Sequence, residues 1–84
     1  MQVRYTQHAL ARMAERGISQ DEVLATLSQP WRRLPAQHGR TESQGWIERA
    51  GKRQLLRVLH ENGLVLLVIT VMASSKLEKY GVQP

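Results

Sequence analysis

The chain has 84 residues, a formal charge of +5 from twelve Lys and Arg against seven Asp and Glu, and no cysteine. It reads as a single domain over 1–84 with a small core, and it excludes disulfides and thiolate zinc sites, which suits a reducing cytoplasm. The basic balance favours an anionic partner such as RNA or an acidic protein segment.

Met1 to Tyr5 is expected as a short edge strand. Thr6 suits an N-cap, with Gln7 to Arg16 as a first helix and Gly17 as its left-handed stop. Leu10, Met13 and Ala14 form an apolar stripe at helical spacing, while His8, Arg12 and Arg16 form a polar one. Ser19-Gln20-Asp21-Glu22 matches a capping box and opens a second helix that buries Val23, Leu24 and Leu27 and stops at Pro30. The connection of little more than Gly17-Ile18 makes the pair an α-hairpin. Trp31 to Leu34 is a candidate strand, and Pro35 to Ser43 reads as a mobile loop. Gln44 to Arg49 is a strand. A two-residue turn near Ala50 to Lys52 turns Ile47 to the core and Trp46 to the open face; a three-residue turn reverses them.

The stretch Arg53 to Met72 reads as a hairpin closed by Asn62-Gly63, a type I′ turn signal. That turn sets Glu61 opposite Leu64, Val58 opposite Leu67, Arg57 opposite Val68 and Leu56 opposite Ile69. One face then carries Leu56, Val58, Val65, Leu67, Ile69 and Val71, ending in His60, and meets the helices. The other carries Leu55, Arg57, Leu59, Leu66, Val68, Thr70 and Met72. A polar, flexible tail follows from about residue 74. The fold class is therefore α+β, an N-terminal α-hairpin on one face of a three- to four-stranded antiparallel meander. The opening MQVRYTQHAL holds no apolar core of signal-peptide length. The longest apolar run, Leu64 to Met72, falls short of the roughly 20 residues of a membrane-spanning helix, so no membrane association is expected.

The segment His8-Ala9-Leu10-Ala11-Arg12-Met13-Ala14-Glu15-Arg16-Gly17-Ile18 resembles the H-A-x-x-R-M-x-E-R-G-I signature of a bacterial domain-of-unknown-function family. Leu56-Arg57-Val58, Val68-Ile69-Thr70-Val71 and Ser74-Ser75-Lys76-Leu77-Glu78-Lys79-Tyr80 extend the likeness. That family is similar in layout to the RelE/ParE and BrnT toxins of toxin–antitoxin systems. The resemblance implies a RelE-like sheet and a ribonuclease activity, an analogy of fold rather than of site.

RNA cleavage without a metal needs a base, an acid and cations for the phosphorane charge. For catalysis the sequence offers Arg57, mid-strand on the open face, with His60 and His8, since histidine titrates near neutrality. For nucleic-acid binding it offers Arg12, Lys76, Lys79 and Tyr80, with Trp46 to stack a base. Each also has a structural reading: Arg57 covers apolar surface with its stem, Trp46 packs, His8 holds its helix and His60 is a surface histidine. No HxxxH or HxH spacing suggests a metal, and no cofactor is expected. Two functions follow: a toxin-like metal-independent RNA endonuclease working from the open sheet face, or a non-catalytic module whose apolar open face binds a protein, an antitoxin-like partner or a second copy as a homodimer.

Overall fold

A computed structural model describes residues 2–75. Its elements run β1 (Val3–Tyr5), α1 (Gln7–Arg16), α2 (Gln20–Ser28), β2 (Arg32–Pro35), a 3-10 turn (Gln37–Gly39), β3 (Thr41–Arg49), β4 (Lys52–Glu61) and β5 (Leu66–Ser74). The class is α+β, with both helices on one face of a sheet ordered β1-β5-β4-β3-β2. The expected antiparallel meander is formed by β2 to β5. The first strand adds to its edge parallel to β5, so the sheet is mixed and has five strands. No helix among the described residues is long and apolar enough to cross a membrane.

Local signals set both helices. The Thr6 hydroxyl accepts from the Ala9 N–H at 3.0 Å, and Gly17 closes α1 at φ 64°. The Ile18 N–H then bonds the Met13 carbonyl at 2.9 Å, the long bond of a Schellman closure. The Ser19 capping box is complete: its hydroxyl accepts from the Glu22 N–H, and Glu22 accepts from the Ser19 N–H. The buried stripe of α1 is Ala9 and Met13; Leu10 and Ala14 are exposed, against expectation. In α2, Val23 and Leu27 are buried, while Leu24 is exposed and Thr26 takes its place.

The turn after β3 has two residues, since Arg49 pairs with Lys52 across Ala50 and Gly51, whose φ values of 51° and 75° are those of a type I′ turn. Ile47 accordingly faces the core and Trp46 the open face. β3 begins at Thr41, so the expected loop is shortened to a 3-10 turn and its flanks.

The Asn62-Gly63 turn does not form. Neither residue takes a positive φ, and the Asn62 Oδ1 instead accepts from His60 Nδ1 at 2.9 Å. The connection lengthens, so Glu61 pairs with Leu67 and Arg57 with Met72. Relative to the expected register, the upper hairpin is displaced by four residues. Four is even, so Arg57, Leu59 and Met72 keep the open face and Val58 and Val71 the core face. Between Leu59 and His60 the ladder then skips Ile69, a β-bulge. The bulge corrects the lower half: Val68 is fully buried in the core with Leu66 beside it, while Leu67 turns to the open face.

Two contacts fix α2 to β3. Gly45 lies so close beneath Thr26 that a Cβ there would stand 2.8 Å from its hydroxyl oxygen. Arg49 reaches from the end of β3 to the helix hairpin, donating to both Glu22 carboxylate oxygens and to the Gly17 carbonyl at 2.8 Å. The Arg49 bonds outweigh partial burial and, with the Ser19 cap, hold the Glu22 carboxyl down at about 2.

Gly45→Ala should therefore destabilise by about 1–3 kcal/mol through overpacking. Adding Thr26→Ala should recover part of that loss in a double-mutant cycle read by urea unfolding; simple additivity would show that the close approach is not what selects glycine. The Glu22 pair predicts an acid dependence. A carboxyl depressed on folding stabilises fully above its ordinary 4.5 and loses that contribution as pH falls toward about 2. Melting curves of Glu22→Gln should therefore lie below wild type at pH 6 and converge with it across that window.

Candidate functional site

The Ala50-Gly51 turn places Gln44 opposite Arg57 and Glu42 opposite Leu59, all on the face away from the helices. β2 adds Arg32 beside Gln44 and Leu34 beside Glu42, and β5 adds Met72 beside Arg57. The polar side chains form one chain of bonds. Arg32 Nε donates to Gln44 Oε1 at 2.6 Å, and Gln44 Nε2 donates to Glu42 Oε2 at 2.5 Å. Arg57 grips the same carboxylate with two bonds, Nε to Oε2 and Nη2 to Oε1, each 2.9 Å. The pair is mostly shielded, its side chains retaining 19% and 12% of their exposure. Burial alone would raise the Glu42 carboxyl; the bonds from Arg57 and Gln44 and the charges of Arg57 and Arg32 outweigh it and hold its pKa below the usual carboxylate range. Arg57 is thus an ion-paired, partly buried residue rather than a cation standing open on the sheet.

Beside this pair lies an open groove lined by His38, Arg40, Glu42, Arg57, Leu59 and Met72. The loop between β2 and β3 delivers His38, which has φ 61°, and Arg40, which pairs with Glu61 at 3.1 Å. A carboxylate, two guanidiniums and an imidazole therefore border one concavity.

The other expected catalytic residues lie elsewhere. His60 is on the helix side of the sheet and is buried, not a surface histidine. Its Nδ1–H is taken by Asn62, so its Nε2 accepts the Ser43 hydroxyl at 2.8 Å. Burial pushes its pKa down and so favours the neutral imidazole, with the Asn62 bond opposing and the Arg33 charge assisting. His8 and Arg12 are exposed on α1, across the sheet from Arg57, and Arg12 pairs with Glu15 at 3.4 Å. Lys76, Lys79 and Tyr80 lie outside the described residues, and Ser74, placed in the expected tail, belongs to β5.

Trp46 stands on the same face as Arg57, two residues along β3 from Gln44. Its ring meets that of Trp31 edge-on, 5.3 Å between centroids at 62°. Arg53 lies 4.4 Å over Trp46 and Arg32 lies 4.9 Å over Trp31. Arg32 thus joins the two tryptophans to the Gln44–Glu42–Arg57 chain. Among the described residues no three His, Asp or Glu gather as metal ligands.

Sequence reasoning missed Glu42, Gln44, His38 and Arg40. The first two follow from the two-residue turn: counting back from Arg49–Lys52 puts Glu42 one diagonal from Arg57. His38 and Arg40 sit in a loop whose turn residues carry no periodicity, so no signal placed them.

Among known protein families, residues 5–73 match one described as a domain of unknown function, DUF4258. No curated protein and no solved structure matches the chain.

Arg57→Ala should strand the shielded Glu42 carboxylate and cost about 3 kcal/mol, near the low end for such a pair because some exposure remains. Replacing both partners by Leu should cost much less. Denaturant unfolding of the single and double variants checks this; equal losses would mean that the pair adds no coupling.

Proposed function

The chain belongs to the DUF4258 family, and for this member we propose metal-independent cleavage of RNA in the groove on the open sheet face. One observation carries the reading: a general base, a phosphate-binding guanidinium and a proton donor of suitable kinds border the same concavity. The 2′-hydroxyl attacks the adjacent phosphorus while Glu42 takes its proton. The bond to the 5′-oxygen breaks, and protonated His38 returns a proton to that oxygen. The products are a 2′,3′-cyclic phosphate and a 5′-hydroxyl end. Arg57 and Arg40 stabilise the added charge on the phosphorane oxygens.

The Glu42–Arg57 bond makes this chemistry conditional on substrate. While paired, Glu42 is ionised but a weak base. A phosphate that draws Arg57 onto itself removes the strongest influence lowering the Glu42 pKa, and the carboxylate becomes more basic where the proton must be taken. Arginine suits that exchange, because its planar fork serves a carboxylate and a phosphate equally well. The resemblance read from the His8 to Ile18 segment, which implies a layout like that of RelE/ParE and BrnT toxins, favours a toxin-like role in the cytoplasm, held in check by an antitoxin-like protein.

His38→Asn tests the assignment, since asparagine tolerates the left-handed backbone at this position. Cleavage of single-stranded RNA should fall about 10²–10⁴-fold, with an unchanged melt. Growth inhibition on expression in bacteria should fall with it. Wild-type protein that neither cleaves RNA nor binds it, even at low salt, would overturn the assignment in favour of the non-catalytic module that binds a protein.

A further inference from the structure

We infer that Trp31 and Trp46 form a stacking platform for an unpaired base, which restricts the substrate to single-stranded nucleic acid. The inference deepens the cleavage reading and rests on it for the choice of RNA as ligand. A large aromatic ring on a soluble surface usually hides its faces in a core, but Trp31 keeps 46% of its exposure. It stands on the same sheet face as the groove, edge-on to Trp46. Each ring has a guanidinium over it, and those two arginines bring positive charge to where the phosphates flanking a stacked base would run. An apolar segment would gain nothing from rings faced by cations, and an acidic one would use the guanidiniums but not the rings; a base, with its π-face and flanking phosphates, matches both parts.

The platform and the groove lie on one line. Trp46 and Glu42 are on the same face of β3, four residues apart, or about 13 Å at strand rise. That distance exceeds the span from a base to its own phosphate. The stacked base therefore belongs to a different nucleotide from the one cleaved, and the strand between them passes over Gln44 and Arg32. A duplex cannot make this contact, because its bases are stacked on one another.

The test separates the platform from the chemistry by using a strand that cannot be cleaved. Single-stranded oligodeoxythymidylate lacks the 2′-hydroxyl, and it should quench the tryptophan fluorescence of the wild type on binding. Trp31→Ala should bind it about 5- to 100-fold more weakly, and Trp31→Phe should recover most of that loss. The same strand annealed to oligodeoxyadenylate should leave the fluorescence unquenched. Equal binding by Trp31→Ala, or quenching by the duplex, would overturn the platform. A wild type that cleaves RNA while Trp31→Ala binds unchanged removes the platform and keeps the cleavage. Quenching that depends on Trp31 in a protein that cleaves nothing removes the cleavage and keeps the platform.

Discussion

Ile69 has no partner across the β4–β5 ladder, and the extra residue it inserts decides which side chains of β5 meet the helices. Above it Val71 lies beside Val58; below it Val68 lies beside His60, and both valines are buried. The bulge also leaves carbonyls to be satisfied, and one residue takes two of them. The Thr6 N–H bonds the Val68 carbonyl at 3.0 Å, and its hydroxyl donates to the Ile69 carbonyl at 2.8 Å. The same hydroxyl oxygen caps α1. The start of the first helix is therefore bolted to the irregular point of the last strand. β1, immediately before Thr6, is thereby laid alongside Leu66 to Val68 and runs parallel to them.

The two faces of the sheet hold their polar groups by different means. On the helix side, Ser43, His60 and Asn62 form a hydrogen-bonded relay, and burial lowers the imidazole pKa. A hydroxyl held at 0% exposure is not available to attack a substrate, which makes the relay a way of satisfying buried polar atoms. On the other side the network is ionic and borders open space. Arg57 and Glu42 are shielded enough for their bonds to be strong, yet the groove reaches both. A ligand can therefore compete for one member of the pair without unfolding anything.

What the sequence disclosed divides by range. The caps at Thr6, Gly17 and Ser19 act within four residues, and each forms as its neighbours dictate. Strand faces were legible because alternation is local, and in the upper hairpin they survived a register error of four because four is even. Leu67 and Ile69 were misplaced because a bulge changes parity and leaves no local mark. Asn62 misled for a physical reason: its side chain has a better use on the His60 ring than its backbone has in a tight turn. The site was less legible. Arg57 was found from its place among Leu55 and Leu59, but its partner lies fifteen residues away and appears only once the β3–β4 register is known.

The pairing also bears on why the cation at the centre of the open face is an arginine. A lysine would hold Glu42 by a point charge and would leave one carboxylate oxygen to be satisfied otherwise. The guanidinium fork satisfies both oxygens, so the free protein carries no exposed, unpaired charge at that point. Only a ligand presenting two oxygens at similar spacing can replace the carboxylate without leaving a shielded donor unmet, and the non-bridging oxygens of a phosphodiester do so. Chloride or a single carbonyl cannot. The pair that stabilises the sheet thus also sets a geometric threshold for what displaces it. In the proposed exchange Gln44, itself held by Arg32, stays bonded to Glu42, so the carboxylate keeps a hydrogen-bond donor when Arg57 turns to the phosphate.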